Sequence, residues 1–537
     1  MSSETFTAPF IVPEARNQTE VYAVHGADPE VLAYAMAKYS RSALSMRESL
    51  TEIGAQRAEQ FLNTFYFQYG HRSIADLAHV AFAMERLSLL AAIVLVDEQR
   101  WDGQERSTRY QNFLKSGWYL PDFGADVGSM RLYADTVEGL FAAYQRTSGA
   151  VLELLRRKVE RPESLKPETY ERTLKARAFD VARYLLPLAT NTSLGQIVNA
   201  RTLETQISRL LSHPAAEVRD LGMKLREAAA GPAWNVSAHS GQLFVDALAA
   251  LDIEAAASLS AEAAHLLTRE VRTAPTLVKY AQPNEYLMRT QKELEHAARE
   301  LLDGAAIAAA PLVDLVERTE TLEVELAATL IYSASDLPYR QVRDIVAALP
   351  GARVLEIVEI GLRHRGKHDE ALRAFKAGAA LRFDILMDIG GFRDMHRHRR
   401  CVQIKQGFTA RLGYETPGAG DLGGGVDILA EAGIEADYRG AVEGAQRASA
   451  RIAASQAPEA EMSALYLLPL ATRVRCLFKM DFAEAQYISE LRSAPAGHFS
   501  YRRVAWEMYR AVERQHPALA KHIRVTDFTK PIDMLQR

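Results

Sequence analysis

Apolar and polar residues alternate along this chain with two periods, one helical and one of a strand, and the sequence of patterns occurs twice. Behind Asp28-Pro29, a capping residue and a first-turn proline, Val31, Leu32, Ala35, Met36 and Tyr39 recur at helical spacing. A short strand-like run, Val21 to Val24, precedes them. Leu326 to Ser333 answers in the second half, where Ala-Ala-Thr-Leu-Ile-Tyr-Ser matches the Ala-Met-Ala-Lys-Tyr-Ser that ends at Ser40. Gly70-His71-Arg72-Ser73 predicts the start of a helix running through Val96, and Gly366-Lys367-His368-Asp369 opens an equivalent stretch towards Met395. The heptapeptide Tyr-Leu-Leu-Pro-Leu-Ala-Thr then stands at both Tyr184 to Thr190 and Tyr466 to Thr472. After the second of these, Val474, Cys476, Phe478 and Met480 alternate with Arg475, Leu477 and Lys479, the period of a strand.

Each copy closes with Pro-x-Leu-x-Lys, at Pro275 to Lys279 and Pro517 to Lys521. Landmarks in the same order predict a tandem duplication: a first module over 1–290, a helical linker over 291–319 and a second module over 320–537. The longer path from heptapeptide to closing element in the first copy predicts an Ala-rich insertion near 212–265.

Composition narrows the function. With 537 residues, 48% apolar and 25% charged, the chain suits a soluble protein with large cores. A net charge of −4 leaves no polybasic footprint for a nucleic acid polymer or an anionic membrane, so a small anionic ligand is expected. The two cysteines, Cys401 and Cys476, form no Cys-x-x-Cys pair, which fits a reducing compartment. Leu87 to Val96 is about half the roughly 20 residues that span a bilayer and reads as a buried helix. The opening Met-Ser-Ser-Glu-Thr lacks the regions of a signal peptide, so a cytoplasmic protein is expected.

Two polar clusters carry candidate chemistry. His396-Arg397-His398-Arg399-Arg400 offers planar guanidinium forks suited to phosphate or pyrophosphate, and its alternative is a solvated basic surface. Guanidinium groups on both sides oppose a dication, so no metal is expected there. Gln104 to Tyr110 is a polar loop in which Glu105, Ser107 and Arg109 would point the same way if extended. Gly418-Ala419-Gly420-Asp421-Leu422-Gly423 spells a dinucleotide fingerprint but follows Glu415-Thr416-Pro417 in place of a strand, and reads as a flexible loop.

With these residues in hand, both copies resemble the flavin-dependent thymidylate synthases, the ThyX family. Its signature is Arg-His-Arg, seven residues, then Ser, continued as Glu-x-Ser-x-Arg-Tyr, with Gly-His upstream and Leu-Pro-Leu and Asn-Ala-Arg-Ser-Leu downstream. The first copy supplies Gly70-His71, Glu105 to Tyr110, Ala182-Arg183, Leu186-Pro187-Leu188 and Asn199-Ala200-Arg201-Thr202-Leu203. Where the family has Arg-His-Arg, however, it has Asp97-Glu98-Gln99. The second copy keeps Arg397-His398-Arg399 and the late arginine, Arg492, but has Gly407 at the serine, Leu465 at the position of Arg183 and Asp481-Phe482-Ala483 for Asn-Ala-Arg.

Family active sites are built between subunits, so the resemblance implies one composite site per chain. The second copy would give Arg397, His398, Arg399 and Arg492, and the first Glu105, Ser107, Arg109 and Arg183. The reciprocal site would carry Asp97 and Glu98 against Gly407 and Leu465 and repel anions. By the same resemblance, Arg492 would activate the uracil ring as the catalytic residue, Arg109 and Arg183 would hold the nucleotide phosphate, and Ser107 would donate to it. Arg397 would serve both substrate and flavin, and His71, Ser73, Asn199, Arg201, His398 and Arg399 would contact the flavin. His71 alone reads equally well as a capping or core histidine. Asp394 stands where the family commonly has a glutamine near the uracil.

The implied fold is helix-rich α+β, two modules each with a small sheet, packed as an intramolecular pseudo-dimer. The implied reaction converts dUMP to dTMP with FAD, NADPH and methylenetetrahydrofolate. Two such chains would equal the family homotetramer. Two other readings stand beside it: methylation of a different uracil nucleotide, suggested by Asp394 and Gly407, and a non-catalytic nucleotide- or flavin-binding paralogue, suggested by the incomplete motif set of each copy.

Overall fold

The computed structural model describes residues 26–38, 46, 49–50, 74–250, 261, 270–366, 369–418, 421 and 427–536. The strand-like Val21 to Val24, Tyr39, His71, Ser73 and most of the Gly418 to Gly423 loop lie outside them. Among the described residues the chain is helix-rich α+β with two small sheets. In the first half β1 (His79–Ser88), β2 (Asp102–Glu105) and β3 (Asn191–Asn199) lie in the order β1-β3-β2. In the second half β5 (Leu381–Asp388), β6 (Val402–Lys405) and β7 (Arg473–Met480) repeat it as β5-β7-β6, with β4 (Val313–Leu315) added beside β5. Every pairing is antiparallel.

The landmarks shared in sequence are shared in structure. Each central strand is followed by a helix capped by its own side chain: Asn199 accepts from Thr202 N–H at 2.8 Å, and Asp481 from Glu484 N–H at 2.8 Å. The helices Leu89–Leu95 and Ile389–Met395 are capped likewise by Ser88 and Asp388. The apolar run at Leu87 is thus a buried helix, as expected, but a short one. The long helices expected from Gly70 through Val96 and from Gly366 to Met395 are overturned: His79–Ser88 and Leu381–Asp388 are strands. Both feed directly into a buried helix, and a single polar cap between apolar neighbours at each junction masks the change of period.

The two copies of the heptapeptide lie antiparallel and bond to each other. Leu188 N–H donates to Leu468 C=O at 3.0 Å and Ala189 N–H to Tyr466 C=O at 2.8 Å. In return Leu470 N–H donates to Leu186 C=O at 2.9 Å and Ala471 N–H to Tyr184 C=O at 3.0 Å. Pro187 faces Pro469 at the centre. Around this contact one continuous core draws Leu185, Leu186, Leu188, Val137 and Leu203 from the first half and Leu467, Leu468, Leu470, Val442 and Ile488 from the second. A smaller core lies in the second half, where the helix Glu285–Leu301, assigned from sequence in large part to a linker, packs Leu294, Ala297 and Ala298 against Ala327, Leu330 and Ile331.

β7 has the expected alternation, but its polar positions are buried as well. Arg475 Nη1 donates to Asp384 at 2.9 Å, and Asp384 also accepts from the Tyr332 hydroxyl at 2.9 Å and Tyr339 N–H at 2.8 Å. Four residues further, Lys479 Nζ donates to Glu325 and to Thr329 Oγ1, each at 3.0 Å. Helix Leu322–Ser333 covers that face and brings the acceptors with it. Asp384→Ala leaves Arg475 buried without its carboxylate, so a loss of about 3–5 kcal/mol is expected. Urea unfolding followed by circular dichroism checks this, and an unchanged midpoint would count against a stabilising role for the pair.

Candidate functional site

The residues expected at a composite site come from both halves, and the structure brings most of them to one seam. β2 ends at Glu105, whose carboxylate pairs with Arg393 on helix Ile389–Met395. Gln104 Oε1 accepts from Arg397 Nη1 at 3.3 Å, and Asp102 from Arg399 Nη2 at 3.1 Å. The Arg399 guanidinium also lies 5.1 Å from the centre of the Trp101 ring, within range of a cation–π contact. Ile93, Val96, Trp101 and Glu105 from the first half and Arg393, His396, Arg397 and Arg399 from the second line one small pocket. Arg393 Nε and Arg399 Nη1 are buried beside it without a partner among the described residues.

Beyond Glu105 the backbone departs from expectation. The strand ends there and residues 108–110 form a turn, with Ser107 Oγ accepting from Arg109 N–H at 3.2 Å. Glu105, Ser107 and Arg109 therefore do not share one extended face, because the hydroxyl closes a local turn in place of continued pairing. Arg109 instead turns inward. Its Nε and Nη2 donate to the Asp180 carboxylate at 2.8 and 3.3 Å, Nη1 to the Tyr501 hydroxyl at 2.8 Å, and Nη2 to Ala496 C=O at 3.0 Å. Burial would lower its pKa, but Asp180, Tyr501 and Asp394 together outweigh burial and hold the guanidinium more firmly charged.

Arg183, at the end of helix Pro167–Ala182, is 2% exposed. Its Nη1 donates to Asp394 at 3.3 Å across the seam, while Nε and Nη2 have no hydrogen-bond partner among the described residues. Asp394 lies among Arg183, Arg109, Arg492 and Arg393, which together outweigh burial and lower its pKa. Arg492 is fixed by neutral groups: Nε donates to His398 Nε2 at 2.7 Å, Nη2 donates to Asp394 C=O at 2.8 Å, and the guanidinium lies 5.4 Å from the Tyr501 ring centre. Burial, and then Arg492, push His398 down to about 3. Its imidazole is neutral, with Nε2 as the acceptor.

Asn199 caps its helix, and Arg201 pairs with Asp76 at 3.2 Å and lies 4.0 Å from Glu370 of the second half. Tyr501, Asp180, Trp101 and Arg393 escaped sequence reasoning. Arg393 had a local signal, one helical turn ahead of Arg397; Tyr501 meets Arg109 from 392 positions away and had none.

From sequence the acidic replacement in the first copy is expected to repel anions, but its carboxylates are paired. Asp97 pairs with Arg373, and Glu98 with Arg209 at 2.8 Å. Burial would raise the Asp97 carboxyl, yet Arg373, His396 and Arg209 hold it below the usual carboxylate range. Gln99 accepts from Lys376. The chain has supplied its own cations here, so the region is closed by internal pairs, not by repulsion.

A helix-rich α+β chain whose two halves share one sheet order, with an arginine-rich seam, is the class these features define. The family model for thymidylate synthase complementing protein (Thy1) matches twice, over residues 22–231 and 317–518, and the chain belongs to that family. A UPF0159 protein of Chlamydia muridarum is 27% identical, across 94% of this chain and 91% of its own length. Another, from Thermoplasma acidophilum, is 24% identical across 92% and 94%. A flavin-dependent thymidylate synthase of Clostridium tetani is 24% identical over 40% of this chain and 83% of its own length. The flavin-dependent thymidylate synthase ThyX of Helicobacter pylori, solved with FAD and dUMP, aligns at 17% identity over 38% of this chain and 89% of its own, with a TM-score of 0.25. No helix among the described residues is long and apolar enough to cross a membrane.

Four histidines, His213, His396, His398 and His498, have pKa values lowered by burial, His213 to about 4 and His398 to about 3. An unfolded histidine titrates near 6.5. Their contribution is therefore complete above about pH 6.5 and is lost as the pH falls through the lower folded values, because the unfolded chain takes up protons first. Thermal melting should drop steadily from pH 7 to pH 4, and His398→Gln, which keeps an acceptor for Arg492, should flatten part of that slope. Parallel profiles for the two proteins would contradict the assignment.

Proposed function

We propose that this chain is an FAD-dependent methyltransferase of the thymidylate synthase type, converting dUMP to dTMP with methylenetetrahydrofolate and NADPH, at one composite site per chain. The observation that carries the reading is the seam, where Arg393, Asp394, Arg397 and Arg399 of the second half meet Trp101, Gln104, Glu105 and Arg183 of the first. The modules are read as an intramolecular pseudo-dimer, supported by the reciprocal hydrogen bonds of the two heptapeptides. The proposed modules span 1–290 and 320–537.

Arg393 Nε and Arg399 Nη1 are buried donors without a partner among the described residues, the kind of group that a flavin pyrophosphate would take. Arg397, His398 and Arg399 would hold FAD, with His71, Ser73, Asn199 and Arg201 as further contacts carried by the family resemblance. When bound, FAD supplies the redox chemistry. Arg492 is held rigidly by His398, the Asp394 carbonyl and Tyr501, so its charge is oriented before a uracil arrives and favours the electron-rich form of the ring. Glu105, Ser107, Asp394 and Arg397 would line the nucleotide, and Arg183 would meet its phosphate. Arg109, bound to Asp180 and Tyr501, would act through the shape of the seam. The Asp394 substitution keeps a different uracil nucleotide as the second reading. Two chains would form a homodimer, in the cytoplasm.

The purified protein should be yellow, with one FAD per chain, and Arg397→Ala should lose most of the flavin absorbance. Protein that stays colourless after incubation with FAD would defeat the flavin reading. With NADPH and methylenetetrahydrofolate, dUMP should yield dTMP. Arg492→Ala should lower that rate at least a hundredfold, while Leu465→Ala should leave it within about twofold, consistent with loss of one preorganised charge at the composite site alone. Turnover of another uracil nucleotide in place of dUMP would select the second reading.

A further inference from the structure

The guanidinium proposed to meet the phosphate already holds an anion. Arg183 is 2% exposed, and of its N–H groups Nη1 donates to Asp394 at 3.3 Å, while Nε and Nη2 are buried without partners among the described residues. The Asp394 side chain is 27% exposed, so the carboxylate stands at the solvent side of this contact and the arginine behind it. Arg109, the other arginine expected at a phosphate, is bound in bidentate fashion by Asp180, a residue with no exposed surface. Of the two, only Arg183 retains donors in a geometry that a doubly charged oxyanion accepts, two N–H groups in one fork.

An incoming phosphate and the Asp394 carboxylate carry the same sign and seek the same guanidinium. In a partly dry seam they repel strongly at contact distance, so each weakens the other's hold on Arg183. A hydroxyl does not face this conflict, because it can accept from Arg183 and donate to Asp394.

We infer that Asp394 is a built-in competitor for the nucleotide phosphate: its carboxylate occupies Arg183 in the unliganded protein, and the phosphate binds by displacing it. The residue thereby sets how strongly the site prefers a nucleotide over the matching nucleoside. This rests on the proposed nucleotide reading, although the competition itself requires only an oxyanion.

The test measures binding of dUMP, deoxyuridine and inorganic phosphate by calorimetry to the wild-type holoprotein and to Asp394→Asn, which keeps the shape and removes the charge. The variant should bind dUMP and phosphate at least tenfold more tightly, with deoxyuridine changed less than twofold. A role for Asp394 in packing alone would shift all three ligands together and would overturn the inference, as would unchanged dUMP and phosphate affinities. If dUMP binds neither protein while phosphate tightens in the variant, the competition stands and the pyrimidine reading falls. If dUMP binds both equally, the reading stands and the competition falls. Asp394→Ser provides a second carboxylate-free variant should the asparagine protein fail to fold.

Discussion

The antiparallel contact between the two heptapeptides organises everything around it. Four main-chain hydrogen bonds tie residues 184–189 to residues 466–471, and at the centre Pro187 meets Pro469, where neither residue has an N–H to offer. Leu186, Leu188, Leu467 and Leu470 are fully buried there. Because the joint satisfies its own backbone groups while excluding water, the cores of the two halves run together, and the strands and helices leaving it are fixed relative to each other. Arg183 precedes one heptapeptide directly, and the other feeds β7, whose partner β5 runs into the helix carrying Arg393 and Asp394. The position of the seam follows from the joint.

Two family-matching halves in one chain are not bound to be alike. In a symmetric pair any acidic change at the Arg-His-Arg position would enter every site at once. In one covalent chain it enters a single location, and here Asp97 and Glu98 have been matched by Arg373 and Arg209 to close it. Arg397 to Arg399 remain intact on the other side. The closed location is not idle structurally, since its Asp97–Arg373 pair links the halves as the heptapeptides do.

What the sequence revealed and what it hid divide along a physical line. Repetition is local in the chain, so the heptapeptides, the strand period of β7 and the capping residues before each repeated helix could be read directly. The strand-to-helix junctions at Ser88 and Asp388 were hidden, because each cap is a single polar position between apolar neighbours, Leu87 and Leu89 in one copy and Met387 and Ile389 in the other. Buried charges were hidden for another reason. Arg475 and Lys479 look like the solvent side of a strand until Asp384 and Glu325, 91 and 154 positions away, arrive to meet them. Tyr501 is the extreme case. Its hydroxyl meets Arg109 and its ring lies near Arg492, so one side chain couples cations from both halves, and nothing near it in sequence announces that role.

Charge pairing grades the cations along the seam. Arg109, Arg393 and Arg399 each contact a carboxylate, Asp180, Glu105 and Asp102 respectively, and such pairs fix position while cancelling much of the field they would project. Arg397 and Arg492 differ, since their hydrogen bonds go to Gln104, His398 and a main-chain carbonyl. A neutral acceptor orients a guanidinium without discharging it. The low pKa of His398 is what makes this possible, because a protonated imidazole would offer Arg492 no lone pair and would add a repelling charge beside it. The seam therefore keeps two oriented cations whose fields are not spent on carboxylates in direct contact, both contributed by the half that retains Arg-His-Arg, and an anionic ligand has its strongest electrostatic reason to bind beside them.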